Sequence, residues 1–361
     1  MLTLAVSFFG FIAMAQPGSD LTPEEKAYSD SIANLNETNA AIEKSQTAYN
    51  AGIEMFKQKK YEGAISKFKE SYASDNNFTP ALYNMAIAQN KSEKYKDAIK
   101  TLDALVEKKP AYSKAFFQRG RAYQGIKDYV KAEDDYEKSI KLDAKNPKAY
   151  YNYGTLRFLQ KDYKGAASKF SKVIELNASD AYAYNDRGSC YRMMGEYAKA
   201  VADYETAARK NESLAFVLNN IGTTKTKMKA YDDALAAFNR ALSVDAKFYL
   251  AYNNRGVTEM KMERWDDAIK DFSKCIEINS SYAPAYSNRA GAYFKAGKYK
   301  EAKKDADKAI SLDKNFADAY VNRGMAKEML RDMNGACEDW HKAKELGSEL
   351  GKVYNSANCS N

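Results

Sequence analysis

The chain has 361 residues, 29% charged and 13% aromatic, with six prolines and a net charge of +8. So many Tyr and Phe side chains must pack somewhere, which excludes a disordered chain, and few prolines among many Ala, Lys, Glu and Tyr suit helices. Lys and Glu are interspersed along the expected helices, which describes a solvated, mixed-charge surface and gives no support to nucleic-acid binding.

Residues 1–15, MLTLAVSFFGFIAMA, carry no charged side chain and end in Ala13, Met14 and Ala15, an A-x-A cleavage pattern. The run is too short to span a bilayer comfortably. We read it as a signal peptide cut before Gln16, with an uncleaved anchor or a misplaced start as the alternative, since no Lys or Arg comes after Met1. The chain has no second apolar stretch. The expectation is therefore an exported, periplasmic or secreted protein without an integral membrane segment after cleavage. Residues 16–44 are expected to hold an N-terminal capping helix. Thr22, Pro23, Glu24 and Glu25 spell a helix start with a capping box, and a helix over about 22–44 is expected to cover the region that begins at residue 45.

From 45 to 350 the sequence repeats every 34 residues: AYNDRGS at 183, AYNNRGV at 251, AYSNRAG at 285 and AYVNRGM at 319. Counting the recurrent glycine as position 8, that position reads Gly52, Ala86, Gly120, Gly154, Gly188, Gly222, Gly256, Ala290 and Gly324. Position 20 is always alanine: Ala64, Ala98, Ala132, Ala166, Ala200, Ala234, Ala268, Ala302 and Ala336. Position 17 is Tyr or Trp except at Met333, and position 24 is mostly aromatic. Two helices cross closely only where the contact carries little side chain, so small residues at 8 and 20 predict paired helices, with the large residues filling the space beside them. A single pair cannot bury both faces, so neighbours must stack.

This pattern resembles the tetratricopeptide repeat, over nine units. The resemblance implies an all-α, right-handed superhelical solenoid of helix-turn-helix units with capping helices at both ends, the second being a short closing helix near 348–358 in the C-terminal tail, 351–361. It departs from the family in having the usual Pro at position 32 only as Pro110.

Position 7 is Arg in five units, Arg119, Arg187, Arg255, Arg289 and Arg323. Position 23 is Asp in the same five, Asp135, Asp203, Asp271, Asp305 and Asp339, and in no other. That coupling predicts a structural ion pair between the two helices of each unit.

In the resembled family, position 6 faces the concave groove. Here it reads Asn50, Asn84, Gln118, Asn152, Asp186, Asn220, Asn254, Asn288 and Asn322. Two readings stand for this row. Its amides resemble the asparagine ladder of the repeat region in O-linked N-acetylglucosamine transferase, which implies main-chain binding of an extended peptide; or they hold neighbouring helices together. Position 5 adds Tyr49, Tyr83, Phe117 and Tyr151 as an aromatic end, and Lys57, Lys91, Lys227, Lys261 and Lys295 at position 13 favour a partly acidic segment. No unit has Lys at position 5, so the family's carboxylate clamp for chaperone tails is not expected.

His341 is the single histidine, and no phosphate loop, HExxH or GxSxG motif is present. The chain is therefore read as no enzyme, with no cofactor and no metal. Cys190 and Cys275 fall at core positions and read as separate buried thiols. The run GACEDWHKAKELG with a late cysteine looks like the closing segment of exported repeat proteins from Bacteroidetes-like bacteria. Cys337 and Cys359 are a candidate disulfide there, two free thiols being the alternative. The function expected is a non-catalytic scaffold in the cell envelope that binds an extended protein segment in its groove. The alternative is a structural or oligomerising component that binds through its convex face or terminal helices.

Overall fold

The computed structural model describes residues 22–359; the expected signal, 1–15, lies outside them. Among the described residues there are helices and no strands. In chain order they are α1 (Pro23–Lys57), α2 (Tyr61–Ser74), α3 (Thr79–Lys91), α4 (Tyr95–Lys108), α5 (Ser113–Gly125), α6 (Tyr129–Leu142), α7 (Pro147–Leu159), α8 (Tyr163–Leu176), α9 (Ala181–Met193), α10 (Tyr197–Lys210), α11 (Ala215–Lys227), α12 (Tyr231–Val244), α13 (Tyr249–Lys261), α14 (Trp265–Ile278), α15 (Ala283–Lys295), α16 (Tyr299–Leu312), α17 (Ala317–Met329), α18 (Met333–Glu345) and α19 (Glu349–Asn358). They group into two compact units that part between Ala144 and Lys145. Within each, consecutive helices pack as hairpins and each hairpin packs on the next.

The 34-residue period fixes the joints. Position 15, where the first helix of a pair turns into the second, has positive φ in all nine repeats, from Lys59 at 60° to Arg331 at 66°, with Gly195 and Gly297 the two that favour it. Between pairs, an Asp or Asn at the end of the second helix accepts a hydrogen bond from the backbone two residues on, as at Asp75, Asn177, Asn211, Asp245, Asn279 and Asp313. These bonds stop one helix and aim the next.

The N-terminal segment differs from the expected separate cap. Thr22 and Glu25 do form a capping box. The helix they start, however, runs unbroken into the first repeat and ends only at Lys57. Residues 40–46, AAIEKSQ, contain none of the Gly, Pro, Asn or Asp that break the chain before the later repeats, so nothing stops the helix. Of residues 23–44 only the last turn reaches the first repeat, where Ala40, Glu43 and Lys44 line a hollow with Lys67 and Glu70 of α2; apart from half-buried Ile32 and Ala41, the side chains of 23–44 are exposed.

The core of each pair is one close approach. The position-8 glycine faces the ring at position 24: a β-carbon on Gly120 would lie 2.9 Å from Tyr136, on Gly188 2.9 Å from Tyr204, on Gly222 2.6 Å from Phe238. Position 20 contributes mainly its backbone, the carbonyl oxygens of Ala132 and Ala200 lying 3.2 Å and 3.1 Å from the same points. Position 8 is Ala in two repeats only, and there position 24 shrinks to Leu102 and Ala306. Glycine is needed where a ring must lie this close to the helix.

Candidate interaction face

All five Arg–Asp pairs form two-pronged contacts. Arg187 donates from Nε and Nη2 to Asp203 at 2.8 Å and 2.7 Å, and Arg119, Arg255, Arg289 and Arg323 repeat the geometry on Asp135, Asp271, Asp305 and Asp339. The remaining Nη1 reaches back to position 25 of the preceding repeat: Asp103, Ser171, Asn239, Ser273 or Asp307. Each guanidinium thus ties three helices and lies over the ring at position 4; Arg119, Arg187 and Arg289 also lie over a tyrosine at position 11, as Arg187 does over Tyr184 and Tyr191. The acceptor at position 25 escaped the sequence reading. Its signal was present, because the repeats that precede an Arg-free unit carry Lys69, Glu137 and Glu205 there instead. In the unit with Tyr153 at position 7, Lys169 replaces the Asp and sits over that ring at 4.4 Å.

The position-6 row is also joined to the scaffold. Five of its amides donate to position 5 of the repeat before: Asn84 to the Tyr49 hydroxyl at 2.6 Å, and Asn220 to Asn185, Asn254 to Asn219 and Asn288 to Asn253 at 3.0 Å each. Asn322 donates to the Ser287 carbonyl at 2.9 Å. The row therefore does not present free amides along its length. One N–H of each of these residues is committed to holding adjacent first helices in register, the second of the two readings above. Gln118 is buried and its side-chain oxygen accepts from Arg121, Asn152 bonds back to Lys148 on its own helix, and Asn50 is exposed.

The position-5 aromatics are built in as well. Tyr49 stands edge-on to Phe78, Tyr83 edge-on to Tyr112, Tyr151 edge-on to Phe170, and Phe117 is buried beside Tyr136. The Tyr151 hydroxyl donates to Asp186. Burial, then that carboxylate, pushes the Tyr151 phenol pKa up. Burial also raises Asp186, against the hydrogen bonds from Tyr151 and Asn185 that lower it. The lysines at position 13 are exposed.

Two clefts open on this same face in the second unit. One, of about 200 Å³, is lined by Thr155, Phe158, Leu159, Phe170, Asp186 and Ser189, which are mostly positions 6, 9, 12 and 13 of α7 and α9. The other, of about 290 Å³, lies among α13, α15 and α17, is floored by Val257, Met260 and Val321, and is closed at one side by Leu350 of α19.

Cys337 and Cys359 are bonded, with Cα atoms 5.6 Å apart, so the end of α19 is fastened to α18. Tyr354 stacks on Trp340 between them at 5.2 Å. Cys190 and Cys275 are free, and burial pushes each thiol up to about 12, which keeps it protonated and unreactive. His341 is exposed beside Glu345. Among the described residues no cluster of His, Cys, Asp or Glu could hold a metal ion, and no helix is long and apolar enough to cross a membrane.

Tetratricopeptide-repeat family models match residues 55–116, 117–181, 181–214, 217–248, 249–282 and 283–316. No curated protein matches the chain. Among solved structures, a tetratricopeptide repeat protein from Parabacteroides merdae is similar at a TM-score of 0.57 and 23% identity, over 69% of this chain and 99% of that one. The Cut9–Hcn1 hetero-tetramer of the APC/C is similar at 0.52 and 15%, over 74% and 52%. The pilF protein of Pseudomonas aeruginosa is similar at 0.51 and 20%, over 58% and 96%. These likenesses are of fold. With the matched family models spanning well over half its length, the chain belongs to the tetratricopeptide-repeat family.

Proposed function

We infer that the protein is a non-catalytic scaffold of the cell envelope that binds an extended segment of another protein along the first-helix face of its second unit. The family fold supports a role in protein–protein interaction. The observation that favours this face is the placement of both clefts on it, at recurrent positions 6, 9 and 12 of alternate helices. A segment running across the helices would meet an equivalent step every repeat. The exposed lysines Lys227, Lys261 and Lys295 favour acidic residues in part of that segment. Export rests on the apolar leader and on the disulfide, which an oxidising compartment preserves.

The test is capture of a partner from solubilised envelope by the mature chain, 16–361, beside a variant whose clefts are filled by Ser189→Trp and Gly291→Phe. Circular dichroism first shows that the variant is folded. A partner held by the parent and lost by the variant supports this face. Equal capture by both moves binding to the opposite face or the terminal helices, the oligomerising alternative.

A further inference from the structure

The cleft closed by Leu350 has a chemistry more specific than a general groove. Its room comes from Gly291, at position 9 of α15, where other repeats carry Ile53, Thr155, Val257 or Met325. A β-carbon on Gly291 would sit at ordinary contact distance, 3.8 Å from Met260 and from Asn322, so the glycine leaves room there for a side chain without a clash. The floor is apolar: Val257, Met260 and Val321, with Phe272 also lining the cleft. Leu350, 58% exposed, stands over it from α19. That helix is not free to move away. It is held by the Tyr354–Trp340 stack, by Gly351 against Ala343, and by the Cys337–Cys359 bond. An exposed leucine on a fastened helix, facing an apolar floor, is apolar surface left for an occupant to cover.

The rim specifies the occupant further. Asn288 has committed one amide N–H to Asn253 and Asn322 donates to the carbonyl and hydroxyl oxygens of Ser287, while among the described residues no group donates to their side-chain oxygens. Asp318, exposed at the start of α17, has no ion-pair partner among them either. Apart from the second N–H of Asn288, the unengaged polar atoms of Asn288, Asn322 and Asp318 are oxygens, which call for donors: main-chain N–H groups and a cation. At about 290 Å³ the cleft falls just below the about 300–1,000 Å³ typical of small-molecule sites, so it suits one side chain with its backbone.

We propose that this cleft is an anchor subsite that takes one large aliphatic side chain of an extended protein segment, with a Lys or Arg next to that residue in the segment set against Asp318. The proposal rests on the face assigned above and names what is read at one end of it. The segment's charge changes sign across the face: basic toward Asp318 at the start of α17, acidic toward Lys261 and Lys295 at the ends of α13 and α15.

The test is methyl NMR on the purified protein, titrated with the peptide acetyl-Gly-Ser-Leu-Lys-Ser-Gly-amide and with two counterparts in which Leu becomes Ser or Lys becomes Glu. The expected result is saturating shifts of the Met260, Val321 and Leu350 methyls by the Leu-Lys peptide, with each counterpart at least about tenfold weaker. Gly291→Phe is expected to abolish the response while its melting temperature and remote methyl shifts stay unchanged. Leu350→Ser, a change at an exposed position, is a second variant expected to weaken it about tenfold. Absence of saturation at these methyls up to about 10 mM peptide, or an equal response to the Ser-Lys peptide, overturns the subsite. Saturating shifts at Leu159 alone would also overturn it while leaving the assigned face standing. No shift anywhere on that face would remove both.

Discussion

Gly256 lies against the ring of Phe272: a β-carbon built on it would sit 2.8 Å from the ring's edge. The glycine of α13 and the phenylalanine of α14 are therefore one device, not two separate preferences. Adding a methyl group forces the ring off its place, a form of overpacking. Gly256→Ala is expected to destabilise the protein by about 1–3 kcal/mol. Adding Phe272→Leu should recover part of that loss, because it copies the Ala86 and Leu102 combination already used in α3 and α4. Urea midpoints of the two single variants and the double variant measure it; losses that simply add would show that the residues do not share a contact.

The Arg187–Asp203 pair predicts an asymmetry. Asp203 is 7% exposed, whereas Arg187 keeps more solvent, two tyrosine rings and a hydrogen bond to Ser171. Arg187→Met strands a buried carboxylate and is expected to cost about 3–5 kcal/mol. Asp203→Asn leaves an arginine with other partners and is expected to cost less, about 1–3 kcal/mol. A double swap to Tyr and Lys, copying Tyr153 and Lys169, should lose less than Arg187→Met alone. Denaturant midpoints at one pH decide it, and equal losses for the two single changes would contradict the asymmetry.

Glu259 predicts the direction of a pH effect. It occupies position 11 of α13, where Lys327 of α17 makes an ion pair with Asp339 at 2.9 Å. Glu259 instead meets Asp271 and Asp267, with Arg255 the opposing charge and Lys270 nearby, and one carboxylate oxygen is buried without a hydrogen bond. Burial first, then Asp271, raises its pKa from an ordinary 4.5 to about 8. The folded state therefore holds the proton more tightly than the unfolded one. Its full contribution is present below pH 4.5 and is lost as pH rises toward 8. Partial exposure screens the effect, so the expected loss across that window is about 1–3 kcal/mol. Glu259→Gln should flatten this part of the stability profile, and Glu259→Lys should raise stability most above pH 8. Unfolding curves between pH 4 and 9 check it; an unchanged slope in Glu259→Gln would assign the dependence to another group.

How much of this was legible depends on whether the signal is local or repeated. The Arg–Asp pairing showed in the sequence because five repeats carry both residues and four carry neither, which is a comparison internal to one chain. The coupling of position 8 to position 24, and of Arg to position 25 of the preceding repeat, were written in the same way and were overlooked. The position-6 row was ambiguous for a physical reason. An asparagine amide can donate to a neighbouring helix or to a ligand, and only the distance from Asn254 to Asn219 or from Asn288 to Asn253 says which.

The sequence by itself determined the all-helical repeat, its period, the positions of the joints and the partners inside each pair, because these depend on spacing along a chain whose every unit obeys the same geometry. The tertiary structure alone decided that residues 23–57 form one helix, that the amide row is largely spent on the scaffold, and that Leu350 closes a cleft floored by residues about 30 to 90 positions earlier. Those facts depend on how far apart side chains end up after stacking, and on which polar atoms remain without a partner once the helices have satisfied each other. A repeating pattern sets the first condition but cannot count the second.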